Sequence, residues 1–258
     1  MTFLRSLLFG AAFAAWTIGL MLVTLPVYFF SPPWFPAWVI RTWSRVNLLL
    51  LRLITGTTLE VRGREHLPKE RSILAVKHQS VWETVVFFAL VDDLSMIMKR
   101  PVAMIPLFGL YTLKAGMIAI DRGGQAAALR SLAAASRRAV AKGRHVLIFP
   151  EGTRRIPGVE PAYQGGVALL YRTLAIPVVP VALNSGLYWP LRRFAHQPGT
   201  VVVEFLPPIA PGLESRAFLT RLEGAIEAAS DGLLVEAAGR EPRPRFPREA
   251  LAKLAKSL

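Results

Sequence analysis

Two short runs in this 258-residue chain concentrate side chains able to move a proton and to hold an anion. The first is Lys77-His78-Gln79-Ser80-Val81-Trp82-Glu83. His78 follows the apolar stretch Ile73–Val76 and precedes a helix-like Thr84–Leu90, and functional groups in open α/β sheets gather at the carboxyl ends of strands. A carboxylate five residues on, in the first helical turn, can fold back onto the imidazole. Glu83 then holds one ring N–H, leaves the other nitrogen free to accept a proton, and stabilises the imidazolium that forms. By spacing alone the pair also fits a structural histidine. The second run is Phe149-Pro150-Glu151-Gly152-Thr153-Arg154-Arg155, again after a strand-like stretch. Gly152 lets backbone approach a ligand closely. Thr153 offers a hydroxyl, and Arg154 a planar fork suited to phosphate oxygens. Glu151 can accept from a hydroxyl or brace an arginine. Alone, this run also reads as an ordinary turn with a surface ion pair.

A third set lies between them. Lys99 and Arg100 follow Met96–Met98, Pro106-Leu107-Phe108-Gly109 reads as a turn, and Ile120-Asp121-Arg122 closes Met117–Ile120. These cations either converge on one anion or form a solvated rim. Other chemistries are excluded by composition and motif. There is no Cys, so thiolate catalysis, disulfides and Cys-ligated zinc are out. No G-x-S-x-G elbow, P-loop, G-x-G-x-x-G or H-E-x-x-H occurs.

The elements that must position these residues alternate in type. Strands are expected at Leu59–Val61, Ile73–Val76, Met96–Met98, Met117–Ile120, Val146–Phe149, Val178–Leu183 and Val201–Phe205. Helical stretches separate several of them, the clearest at Gln125–Lys142, and a last one is expected over Glu214–Ala238. This predicts an α/β fold with a largely parallel central sheet flanked by helices. The division expected is a membrane-anchoring helical segment over 1–56, an α/β domain over 57–238 and a basic tail over 239–258, the tail flexible or touching membrane.

The amino-terminal segment carries no charged side chain over residues 6–40. Leu7–Phe30 is long enough to cross a hydrocarbon core of about 30 Å as a helix, with Pro26, Pro32, Pro33 and Pro36 ending or kinking it. A cleaved signal peptide is the competing reading. Arg41, Arg45 and Arg52, interleaved with Trp43 and Leu48–Leu51, suggest an interfacial helix, or else a core helix of the domain. The three arginines after the apolar run favour a cytoplasmic face for the rest of the chain.

A formal net charge of +14 favours a polyanionic partner, nucleic acid or an anionic lipid surface. The basic residues are scattered, without zinc-finger spacing or an RNP-like run, so nucleic acid is not the expected partner. A non-enzymatic membrane adaptor accounts for the apolar segment and the charge, but not for His78 together with Phe149–Arg154.

Taken in order, the motifs resemble the glycerolipid acyltransferase family. Its His-x4-Asp motif reads His78-x4-Glu83 here. Its second motif is matched by Pro106, Phe108, Gly109, Gly116 and Ile120-Asp121-Arg122. Its Phe-Pro-Glu-Gly-Thr-Arg motif is matched letter for letter at Phe149–Arg154, and its fourth at Val178-Val179-Pro180-Val181. Two departures stand out: Glu83 in place of Asp, and Tyr163-Gln164-Gly165-Gly166 in place of Phe-Lys-x-Gly. The resemblance implies a membrane-bound enzyme with His78 and Glu83 catalytic. It implies a lysophospholipid acceptor held by Lys99, Arg122, Glu151, Gly152, Thr153, Arg154 and Pro180. The donor it implies is acyl-CoA or acyl-carrier protein as co-substrate, and neither cofactor nor metal is expected.

Overall fold

The computed structural model describes residues 2–32, 34–121, 125–191 and 194–257. Seven strands form one sheet: β1 (Thr57–Arg62), β2 (Ile73–Val76), β3 (Leu94–Lys99), β4 (Ile118–Ile120), β5 (His145–Ile148), β6 (Val178–Leu183) and β7 (Gly199–Phe205). Their order is β1-β7-β6-β2-β5-β3-β4. Every neighbouring pair is parallel except β6 with β7. The central strands β2, β5 and β6 are buried along their whole length. That is why they read as short continuous apolar runs rather than as an alternation.

The sheet is covered on both faces. Leu74, Val76, Val179 and Val181 pack beneath α1 (Thr2–Tyr28), α2 (Trp34–Thr55) and α3 (Glu83–Leu90). Ile73, Ala75 and Val178 pack against α6 (Gln125–Ala141), α7 (Gly165–Leu174) and α9 (Ser215–Ala238). Adjacent residues of a strand thus serve opposite layers, as the pleat requires. Between β3 and β4 lie two short helices, α4 (Arg100–Ala103) and α5 (Phe108–Lys114). They turn tightly on Gly109, where a Cβ would stand 1.8 Å from the Ala103 carbonyl oxygen. A short α8 (Ser185–Tyr188) follows β6.

The amino-terminal helices are fastened to the α/β layer rather than hanging from it. Near its start α1 packs Phe9 between the rings of Trp189 and His196, and the Ser6 hydroxyl accepts the His196 backbone N–H at 2.7 Å. Midway, the Trp43 indole of α2 donates to Thr17 at 2.9 Å. At its end Tyr28 stacks on Tyr111 of α5 with centroids 3.8 Å apart and donates to the Tyr111 carbonyl at 2.7 Å. The opposite side of α1 exposes Leu4, Leu7, Leu8, Ile18, Leu22 and Val23, and α2 adds Trp38, Leu49 and Leu53. Pro26 lies inside the last turn of α1 without breaking it, and Pro36 falls in the first turn of α2, where a missing N–H costs nothing. Of the two roles expected for α2, the structure shows the core one. Val39, Trp43 and Leu51 are core, while Ser44 donates to the Val85 carbonyl of α3 at 2.7 Å.

The basic tail differs from the flexible segment expected. Its last part forms α10 (Arg248–Ser257), with Ala250 and Leu254 in the core and Lys253 paired with Asp231 of α9 at 2.7 Å. An Ala and a Leu four positions apart make one narrow apolar seam. The seam finds its partner in α9 and in the loop around Gly158, where a Cβ would lie 2.5 Å from the Ala250 nitrogen.

Candidate active site

The parallel pairing of β2 with β5 brings the two chemical runs together. Ala75 stands opposite Ile148, so the chains leaving these strands emerge side by side at the carboxyl edge. Two bonds cross-link them. The Arg155 backbone N–H donates to the His78 carbonyl at 2.8 Å, and the His78 backbone N–H donates to Glu151 Oε2 at 3.3 Å. The His78 ring lies flat on Phe149, centroids 3.8 Å apart and planes 16° from parallel. The imidazole is thus held by stacking on one side and keeps 13% of its side-chain surface open.

Glu83 is the first residue of α3, and its fully buried carboxylate folds back over the turn as expected. Its bonding differs from that expectation. Oε1 accepts the Gln79 and Ser80 backbone N–H groups at 3.1 and 3.0 Å and also the Ser185 hydroxyl. Oε2 accepts the Ser80 N–H at 2.9 Å and stands 3.7 Å from His78 Nδ1. That separation is too long for a hydrogen bond, and Nδ1 is buried without a partner. Unliganded acid–base pairs are often loose and tighten on binding substrate. The carboxylate at a helix amino terminus is also favoured by the exposed N–H groups there.

Behind Glu151 lies a buried charge cluster that the sequence reading missed. Lys77 Nζ donates to Glu151 Oε1 at 3.0 Å and to Glu227 Oε1 of α9 at 2.6 Å, and the Tyr163 hydroxyl donates to Glu227 at 3.0 Å. The side chains of Lys77, Glu151 and Glu227 are 5%, 0% and 15% exposed. Burial pushes the Glu151 carboxyl above its ordinary range, partly offset by Lys77 and by the His78 N–H. Burial, with Glu227 beside it, raises the Tyr163 phenol and keeps it protonated. A lysine at the end of an otherwise apolar strand was the available signal. Nothing in the local pattern points to Glu227, 150 residues away.

The other expected residues are placed as follows. Gly152 sits at φ 68°, the left-handed conformation that favours glycine, with Thr153 and Arg154 exposed beside it. Lys99 is the exposed last residue of β3. Arg100 pairs with Asp121 at 3.0 Å on an open surface. Arg122 lies outside the described residues. Pro180 corrects the expectation of a substrate contact. It is buried inside β6, opposite Ala75, and its carbonyl accepts the Leu206 N–H at 2.9 Å. The residues that reach the site from this side lie beyond the motif, after β6, at Ser185 and Gly186, whose N–H donates to the Gln79 side chain at 3.1 Å.

A histidine and a carboxylate at one strand end, tied through backbone to an adjacent Glu-Gly-Thr-Arg turn on a mostly parallel sheet, have the parts of an acyl-transfer site. The chain belongs to the acyltransferase family, whose model, described as Acyltransferase, matches residues 58–184. Among its relatives is the 1-acyl-sn-glycerol-3-phosphate acyltransferase of Pseudomonas aeruginosa, 33% identical over 213 residues that cover 83% of each chain. The enzyme of the same name from Limnanthes alba is 35% identical over 158 residues, 60% of this chain and 55% of that one. Among solved structures, the 1-acyl-sn-glycerophosphate acyltransferase of Thermotoga maritima shares the fold with a TM-score of 0.74 at 23% identity. The match covers 90% of this chain and 98% of that one.

Proposed function

We propose that this chain is a membrane-bound lysophospholipid acyltransferase that moves a fatty acyl group from a thioester, acyl-CoA or acyl-carrier protein, onto the free hydroxyl of 1-acyl-glycerol 3-phosphate, giving phosphatidic acid. The observation that carries the reading is the cross-tied pair of motifs, with a largely buried but still accessible His78 in the same strand-end cluster as the exposed Thr153 and Arg154. The Pseudomonas relative's name supplies the acceptor.

The chemistry follows from the side chains. With Nδ1 facing Glu83, Nε2 is the nitrogen left to take the acceptor's hydroxyl proton as its oxygen attacks the thioester carbonyl. The C–S bond then breaks, and the departing thiolate takes up the proton that His78 accepted. Glu83 steadies the imidazolium. General-base assistance of this kind is worth about 10²–10⁴ in rate. The Arg154 guanidinium and the Gly152 turn bind the acceptor phosphate, assisted by Thr153, Lys99 and Arg122.

The anchoring of α1 supports a seat in one leaflet. A 27-residue helix is about 40 Å long. Being fastened at its start, middle and end, it lies along the domain and offers its far apolar side, with that of α2, to the hydrocarbon. The arginines of α2, on the carboxyl side of the apolar run, favour the cytoplasmic face for the catalytic domain.

Thiol release measured against a panel of lysolipids with both donor types tests the assignment. His78→Ala, folded by circular dichroism, is expected to lose nearly all turnover, and near wild-type turnover rules out the general base. Arg154→Ala is expected to raise KM for phosphate-bearing acceptors while leaving the donor KM in place. An unmoved acceptor KM removes the clamp.

A further inference from the structure

We infer that Ser185 is a positioning residue for the acid–base pair, holding Glu83 so that one carboxylate oxygen remains directed at His78. The inference rests on the functional reading above. Ser185 is the first residue of α8, completely buried, and enters the site from β6, the strand on the far side of β2 from β5. Its hydroxyl donates to Glu83 Oε1, which also receives two backbone N–H groups. Oε1 is thereby saturated. Oε2 carries one backbone N–H, from Ser80, and is the oxygen facing His78 Nδ1.

The carboxylate needs such a brace because of its length. Glu83 has one more methylene than the aspartate usual in the family, and so one more torsion to fix. The turn's own N–H groups hold it from one side only. The brace extends beyond one hydroxyl, because the next residue, Gly186, donates to the Gln79 side chain, and a Cβ there would come within 2.9 Å of Gln79 Cβ and 2.7 Å of Pro157. The segment after β6 therefore grips the His78–Glu83 turn closely, and this is the route by which the strand carrying the family's fourth motif reaches the chemistry. The ionisable group paired with Glu83 is His78. On the other side of His78, Glu151 is held by Lys77, which also binds Glu227, and the Arg155 guanidinium lies 3.9 Å from Glu151.

A hydroxyl donated to a carboxylate stabilises its charged form. Without it, more of the carboxylate's charge faces the imidazole and favours the protonated ring, so activity should require a higher pH. The test uses the purified full-length protein and thiol release, with kcat and both KM values followed from the acid limb to the plateau. Ser185→Ala is expected to lower kcat about tenfold or more at neutral pH, the scale of a hydrogen bond to a charged group. Both KM values should change little, and the acid limb should move to higher pH. Ser185→Thr, which keeps the hydroxyl, should restore the limb and most of kcat. If Ser185→Ala does not fold, Ser185→Cys carries the test, with a weaker donor of similar shape and a smaller shift of the same sign. A folded Ala or Cys variant with the wild-type limb and turnover overturns the inference. Wild-type protein that releases no thiol with any acceptor instead overturns the functional reading on which it rests.

Discussion

Lys77→Met keeps most of the buried stem of the side chain and removes its charge, which leaves the carboxylates of Glu151 and Glu227 together without the cation between them. Breaking a buried ion pair by deleting one partner costs about 3–5 kcal/mol, because the remaining charge is uncompensated. With Lys77 5% and Glu151 0% exposed, solvent screening reduces that little. Glu151 keeps only the looser cation Arg155, 3.9 Å away, and otherwise takes up a proton, the way burial already pushes it. For a carboxyl raised in the native state, both states are protonated at low pH. As pH rises past the unfolded value the unfolded chain ionises first, so native stability falls by about 1.4 kcal/mol per pH unit until the native group also ionises. Deleting Lys77 extends that window upward. The variant's deficit, measured by denaturant or thermal unfolding in detergent, is therefore expected to be small near pH 5 and to grow to about 3 kcal/mol or more near pH 8. In Lys77→Met/Glu227→Gln, where one of the two carboxylates is gone, the loss should be less than that of Lys77→Met alone. A deficit below about 1 kcal/mol, or one equal at both pH values, refutes the reasoning.

His196 is buried between Phe9 and Trp189 with neither ring nitrogen bonded, and burial pulls its pKa down to about 4. The unfolded imidazole protonates first on acidification. Stability is thus complete above the ordinary value near 6.5 and is lost as pH falls from there towards about 4. His196→Phe should flatten that slope in thermal melts, and an unchanged slope assigns it to other groups. Gly109→Ala forces a methyl group against the Ala103 carbonyl and should cost about 1–3 kcal/mol through displacement of the α4–α5 turn, read as a lower Tm. A variant as stable as the parent shows that this turn yields freely.

Most of the framework was legible because it is written in short-range pattern. The seven strands fall where β-branched and apolar runs lie between turn residues. Three of them, β1, β3 and β7, extend beyond those runs, as with Thr57–Arg62 against the expected Leu59–Val61, where ladder pairing with Gly199–Glu204 includes polar residues. The meeting of His78 with Glu151 follows from two strands that pair in parallel and end level. Long-range choices were not legible. Lys77 has no role of its own in the His78 run as read from the sequence, and its second partner lies in α9. Pro180 marked its motif by its rarity in a central strand, but the contacts to the site come from Ser185 and Gly186, small residues with no signal of their own. For the tail, a seam of Ala250 and Leu254 is too weak to read as docked, since its complement is the bare backbone at Gly158.

That bare backbone has a practical side. The loop at Gly158 has α10 as its floor, with no side chain between them. An affinity handle or reporter fused behind residue 258 pulls on the same floor, and so does a crystallisation truncation that trims the final turns. Either change would be felt at the segment that follows the Glu151–Arg154 turn, while the sheet stays intact. Comparisons of acceptor preference among preparations should therefore hold the carboxyl terminus constant, and tags belong on a surface loop or are best removed before kinetics.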